Sequence, residues 1–158
     1  MALLVVSWLL SLLLSLTSHV DAAQWQDCGS GHVPVTVQNV TMLPDPPVSG
    51  SEFTVVLPAV TGERIQSGVV RVTVAYYGWP VYASNVQLCA KTLCPVLPGE
   101  FTFSNSQPLP YITPAGPYTL WLKARNNNGS PLFCTKVDFN IVRPQARMGS
   151  SNRRVQTA

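Results

Sequence analysis

The chain has 158 residues, 11% of them charged, with 14 prolines, 10 glycines and a formal net charge of +3. Residues 23–142 carry six basic and six acidic side chains, so the positive excess lies in the tail at 143–158. A neutral folded part argues against a nucleic-acid partner, and the length suits one domain with its own core.

The N-terminus is typical of a secretory leader. Residues 3–16 are apolar and uncharged, and Val20 and Ala22 are small enough for the −3 and −1 positions of a cleavage site. The run is too short for a comfortable membrane span of about 20 residues. We therefore expect residues 1–22 to be a cleaved signal peptide and not an uncleaved anchor. The mature protein should then reside in the secretory pathway, either outside the cell or in the lumen of a lysosome or vacuole.

Apolar and polar residues alternate with a period of two along the rest of the chain, which is typical of β-strands. The first such segment spans 33–40, and the proline-rich stretch 43–50 interrupts it. A second segment begins at Phe53. In the strongest strand pattern, one face carries Val70, Val72, Val74 and Tyr76.

This pattern ends in the aromatic stretch 76–82, where residues 78–80 are expected to leave the sheet. A loop containing two cysteines then leads to an alternating pair, Phe101 and Phe103. The next inward face carries Tyr118, Leu120, Leu122 and Ala124. After the turn signal at 126–129, the last inward face carries Val137, Phe139 and Ile141. From residue 143 onward no apolar period is present, which predicts a flexible basic tail at 143–158.

Six or seven short strands, joined by turns rich in Pro and Gly, predict an all-β fold. The spacing favours an immunoglobulin-like antiparallel β-sandwich. The Cys…Trp…Cys spacing of antibody domains is absent. We expect one sandwich domain over residues 23–142.

Four cysteines follow the leader: Cys28, Cys89, Cys94 and Cys134. An even number in a secreted chain predicts two disulfides, for which three pairings are possible. A zinc site would need two close pairs of thiolates, and only one close pair is present, so no metal is expected. Glycosylation sequons at Asn39 and Asn128 fit the same compartment.

Several motifs, in this order and spacing, resemble the ML (lipid-recognition) domain family. They are residues 26–30, 44–50, 78–81, Cys89 with 94–95, and 132–134. The resemblance is strongest to the secreted sterol carriers of Niemann-Pick type C and to the plant and fungal phosphatidylglycerol/phosphatidylinositol transfer proteins. It covers residues 24–142.

The resemblance implies a lipid cavity between the two sheets and the disulfide pairs Cys28–Cys134 and Cys89–Cys94. The implied ligand is a sterol or a phospholipid, held without a cofactor by a monomer that docks transiently on a membrane or membrane protein. The residues expected to contact the lipid are Phe53, Val55, Leu57, Val70, Val72, Val74, Tyr76, Tyr82, Leu109, Tyr118, Leu120, Leu122, Val137 and Phe139.

The chain departs from the animal sterol carriers at two places. Residues 43–47 contain no cysteine for the third disulfide of those carriers. Ala83 lies near the position at which those carriers have a Phe, at the sterol entrance. The choice between sterol and phospholipid therefore stays open. Aligning the chain by Cys134 or by the sequon places either Leu122 or Trp121 at the position of an inward-facing aromatic residue of that family. Alternation favours Leu122.

Catalysis has little support in the sequence. His32 is the one histidine after the leader and lies in a loop typical of solvated positions, while the acids are scattered. We therefore predict no catalytic site, and no enzyme. The alternative to a lipid carrier is a solidly packed recognition module that binds a protein or glycan on its surface.

Two segments have both a plain and a functional interpretation. The stretch 76–82 is either a packed strand end or, with 108–112 opposite, an apolar rim beside the cavity mouth. The tail is either solvated chain, which we favour, or a segment that is weakly attracted to anionic membranes.

Overall fold

The computed structural model describes residues 22–145, so the predicted leader and most of the basic tail lie outside the described residues. Within that range the chain forms nine strands and one short 3-10 turn, Leu88–Ala90. The strands are β1 (Gln24–Asp27), β2 (Val35–Val37), β3 (Thr41–Leu43), β4 (Glu52–Thr61), β5 (Gly68–Tyr76), β6 (Trp79–Gln87), β7 (Gly99–Pro108), β8 (Gly116–Asn126) and β9 (Pro131–Ile141). No helix in this range is long and apolar enough to cross a membrane.

The strands form two antiparallel sheets. The large sheet has the order β1-β9-β8-β5-β6, and in the small sheet β4 pairs with β2 and β3 on one edge and with β7 on the other. The inner faces of both sheets bury the alternating apolar residues of β4, β5, β8 and β9. The predicted all-β sandwich is therefore confirmed.

One stretch expected to leave the sheet begins a strand instead. Trp79 pairs with Tyr76 and Pro80 with Ala75, so β6 starts immediately after the turn. The turn residues Tyr77 and Gly78 have φ angles of 47° and 82°, as a tight two-residue hairpin requires. Pro80 is tolerated because β6 is an edge strand. The expectation that residues 78–80 leave the ladder was therefore wrong for Trp79 and Pro80, whereas Gly78 does lie in the turn.

Other strand boundaries also differ from the pattern. The segment 33–40 contains only β2 (Val35–Val37), and β3 (Thr41–Leu43) follows it; both pair with β4. Strand β1 (Gln24–Asp27) was not predicted at all, because its four residues are mostly polar and exposed. It completes the edge of the large sheet beside β9.

Both disulfides have the pairing that the resemblance implied. Cys28 is bonded to Cys134 and Cys89 to Cys94, across 106 and 5 positions of sequence. The second bridge lies between the end of β6 and the start of β7, at the end of the sandwich that we call the closed end. The inner faces meet there in a core that includes the fully buried residues Leu57, Val70 and Phe103.

Candidate functional site

At the opposite end of the sandwich, the open end, the sheets enclose a cavity of about 470 Å³. The start of β4, the end of β7 and the start of β8 meet at this end because neighbouring strands are antiparallel. The segment 109–114, which connects β7 to β8, closes one side. The lining is mostly apolar and contains no acidic or basic side chain. Such a space accommodates hydrocarbon and excludes charge.

Eleven of the fourteen residues predicted to contact a lipid lie at the cavity wall. They are Phe53, Val55, Val72, Val74, Tyr76, Tyr82, Leu109, Tyr118, Leu120, Leu122 and Phe139. Leu122 is buried and faces the cavity, while Trp121 pairs with Lys136 on the outer face, as alternation predicted. The contact of these residues with a lipid stays a prediction.

The other three predicted residues do not reach the cavity. Leu57, Val70 and Val137 are each 0% exposed and lie outside the cavity lining, although Val137 is paired with the lining residue Leu120. Alternation identifies the inner face of a strand, but it does not show which inward side chains border a void. We therefore reassign these three residues to the solid core.

The lining also contains nine residues outside the predicted contact set: Val81, Asn105, Gln107, Ile112, Thr113 and Ile141, and the prolines at 108, 110 and 114. Ile141 was predicted to face inward, and one interpretation of 76–82 and 108–112 was an apolar rim at the mouth. Sequence reasoning missed Asn105, Gln107, Thr113 and Pro114. For two of them a signal existed. The alternation of Phe101 and Phe103 continues through Asn105 and Gln107, which places both amides on the inner face of β7. They were overlooked because the pattern considered only apolar residues.

Two tyrosines fix the wall beside the connecting segment. The Tyr76 hydroxyl donates a hydrogen bond to the carbonyl of Ala115 at 3.2 Å, and that of Tyr118 donates to the carbonyl of Pro114 at 2.9 Å. Their ring centroids are 4.8 Å apart. Burial raises the pKa of Tyr118, with a smaller contribution from Tyr76, so this wall stays uncharged at physiological pH.

Exposed apolar side chains from two segments lie in the cavity lining (Val81, Tyr82 and Ile112) or close to these residues in sequence (Trp79 and Tyr111). We call this set the apolar rim: Trp79, Val81 and Tyr82 from β6, and Tyr111 and Ile112 from the connecting segment. Trp79 is 78% exposed and Ile112 89% exposed. Large apolar side chains so exposed, and grouped at the opening of a cavity, are typical of a surface that meets a membrane or a partner. Ala83, expected near the entrance, is not among the lining residues.

The described residues offer little other chemistry. Within 22–145 no group of three or more His, Cys, Asp or Glu side chains is placed to hold a metal ion. His32 is exposed, as expected, and lies outside the cavity lining. The arrangement can therefore bury an apolar ligand, but its wall supplies no acid–base pair.

Comparison with known proteins gives consistent matches. The family model described as the ML domain matches residues 22–141. A protein of Dictyostelium discoideum, named as a phosphatidylglycerol/phosphatidylinositol transfer protein, is 32% identical over 122 residues, covering 73% of this chain and 83% of that protein. A phosphatidylglycerol/phosphatidylinositol transfer protein of Mycosarcoma maydis is 28% identical over 126 residues, 75% of this chain and 64% of that protein. The crystal structure of a Niemann-Pick type C2 protein from Japanese carpenter ant has a TM-score of 0.62 at 17% identity, covering 75% of this chain and 99% of that one.

Proposed function

Because the chain belongs to the ML domain family, we propose that it holds one lipid, a phospholipid or a sterol, between its sheets and transfers it between membranes. The observation that carries this proposal is the apolar cavity of about 470 Å³ at the open end. Burial of hydrocarbon contributes about 0.8 kcal/mol per methylene, so an acyl chain binds without directional contacts. Relatives named for phosphatidylglycerol and phosphatidylinositol support the phospholipid class.

The orientation of a bound phospholipid follows from charge. No ionised side chain lines the cavity, so a phosphate inside it would be unpaired at high cost in free energy. The headgroup therefore stays at the mouth, in water, and the acyl chains point inward. A lipid oriented in this way enters and leaves through the mouth without carrying its charge across the core.

The apolar rim supports transient docking on a membrane. Val81 and Ile112 are exposed and line the cavity from two different segments, and the rim segments 77–82 and 109–115 contain no charged residue. Insertion of such side chains into the interface brings the mouth against the bilayer. The basic tail at 143–158 adds, on this proposal, at most a weak attraction to anionic lipids.

A secreted monomer fits the rest of the chain. Both disulfides favour an oxidising compartment, and Asn39 and Asn128 are exposed. Asn128 lies in the turn between β8 and β9, at the closed end, so a glycan there leaves the mouth free. On this proposal the protein is a carrier and not an enzyme. A secreted product that kept Met1, or whose mass did not change with a glycosidase, would contradict cleavage or glycosylation respectively.

The test is to purify the secreted protein, extract it under native conditions and identify the bound lipid by mass spectrometry. Transfer is then measured between donor vesicles with a fluorescent phospholipid or sterol and unlabelled acceptor vesicles. We expect one lipid per protein and transfer that grows with protein concentration. A protein without lipid that binds none when supplied would favour the alternative, a recognition module with a surface site for protein or glycan.

A further inference from the structure

One polar side chain in the cavity has no structural explanation within the protein. Asn105 is only 7% exposed and lies in the lining beside Val55, its partner on β4. No hydrogen bond joins its side-chain amide to another residue in the described range 22–145. Its amide atoms are not among the fully enclosed side-chain atoms that lack a partner in this range, so the amide opens onto the cavity, where a ligand that displaces water has to supply its partner.

A second amide lies on the same wall, closer to the mouth. Gln107 is two positions further along β7 and also lines the cavity, so the two side chains leave the strand about 7 Å apart. Pro108, which ends β7, follows it at the mouth. The wall of β7 thus presents neutral donors over the first part of the cavity, while the facing walls of β5 and β8 are apolar or aromatic.

We propose that Asn105, assisted by Gln107, donates hydrogen bonds to the ester carbonyls of a bound glycerophospholipid. This rests on the proposed function and specifies its ligand. With the phosphate at the mouth, the two ester groups of the glycerol unit lie just inside the opening, next to this wall. Ester carbonyls accept hydrogen bonds but carry no charge, so neutral amides match them without burying an ion.

A sterol fits this wall less well. It has a single hydroxyl and otherwise hydrocarbon, so a sterol with its hydroxyl at the mouth would leave Asn105 against rings without a partner. The amides therefore favour a ligand with two polar groups below its headgroup. The assignment concerns the linkage region of the lipid and not the headgroup.

The experiment compares dioleoyl phosphatidylglycerol with its dialkyl ether analogue, which lacks both carbonyls. Binding to delipidated full-length protein is measured for the unaltered chain, for Asn105→Leu and for Asn85→Leu. The last is a matched control, since Asn85 is exposed on β6 opposite Arg71. We expect the unaltered protein and the control to bind the diester about three- to tenfold more tightly than the diether, the ratio that one hydrogen bond provides. In Asn105→Leu the preference should disappear, with diether binding as tight as in the unaltered protein or tighter, because no amide is then left without a partner.

Thermal unfolding of the delipidated variants separates a ligand contact from a structural role. Asn105→Leu should unfold at or above the temperature of the unaltered protein, because the amide has no partner to lose. A clearly lower unfolding temperature would overturn the proposal, as would equal binding of diester and diether by the unaltered protein. If the unaltered protein bound cholesterol but neither phospholipid, the ester assignment would be wrong and lipid binding would stand. If it bound no lipid, the proposed function would fail as well.

Discussion

The two ends of this sandwich are built from the same strands but differ in how the sheets meet. At the closed end Leu57 and Phe103, which pair across β4 and β7, are fully buried and fill the space. At the open end the continuations of these strands, Phe53 and Gln107, face a cavity. A single hydrogen-bonded framework therefore supports a solid core and a hollow one.

The difference shows how a small domain can remain stable although its interior contains a cavity of about 470 Å³. Close-packed side chains contribute most of the dispersion and burial free energy, and a void gives up part of both. The closed end, with the Cys89–Cys94 bridge beside it, supplies the stability that the open end lacks. Stability and ligand capacity should consequently respond to substitutions at different ends.

The largest effect should come from the long-range bridge. Removing Cys28–Cys134 by a double Cys→Ser substitution releases a loop of 106 positions, against 5 for Cys89–Cys94. In the chain-entropy model the costs are about 5 and about 2 kcal/mol. Urea unfolding of both variants measures them. If the variant lacking only the short bridge stayed folded but lost lipid binding, the two ends would not be independent.

The next prediction is a pair of truncations, one at each end. Leu57→Ala leaves a new void in packed surroundings and should cost about 3–5 kcal/mol. Leu120→Ala enlarges a space that already exists, so the cavity penalty is small and the cost should be about 2 kcal/mol. Denaturant unfolding of the delipidated proteins compares the two. Equal costs would mean that the open end is collapsed in solution.

Enlarging a side chain should separate the ends by function. Val70 and Val74 share the inner face of β5, but only Val74 lines the cavity. Val70→Phe overpacks the closed end and should cost about 1–3 kcal/mol, with lipid affinity unchanged in the folded protein. Val74→Phe should cost little and reduce lipid binding strongly, because the ring occupies space that the ligand needs. Strong destabilisation by Val74→Phe, with binding intact, would show that Val74 packs against the wall.

The sequence was sufficient for the sandwich because alternation and turn residues are local signals. Val72, Val74 and Tyr76 were assigned to the inner face, and the structure places them at the cavity. The edge strand β6 (Trp79–Gln87) was missed because its side chains are mostly exposed and no alternation marks it. The tight turn before β6 requires positive φ angles at both Tyr77 and Gly78, and the residue types alone do not predict this conformation.

The depth of the cavity could not be predicted by the same reasoning. Leu57 and Val55 have the same residue class and the same face, yet one is in solid core and the other lines a void. What separates them is the packing around each side chain, which depends on contacts remote in sequence. The amides Asn105 and Gln107 were accessible to period-two reasoning, had polar residues on an inner face been treated as informative.

The smallest effect concerns the outer face, where the contrast between the ends should vanish. The Asp138 carboxylate accepts hydrogen bonds from Lys136 at 2.8 Å and from Thr119 at 2.7 Å, between the inward residues Val137 and Phe139. Burial raises the pKa of Asp138, but these hydrogen bonds and the charge of Lys136 outweigh it and lower the pKa overall.

A lowered pKa means that the contribution of the Asp138 carboxylate to folding stability is present at neutral pH and is lost as the pH falls below about 4. Because both side chains of the ion pair are partly exposed, Asp138→Asn should cost less than about 1 kcal/mol at pH 7, and this cost should decrease as the carboxylate is protonated at acid pH. Urea unfolding across this range gives the difference, and lipid affinity at pH 7 should not change. A fall in affinity would mean that the outer face of β9 sets the shape of the cavity, and that the two ends differ by more than the packing of their inner faces.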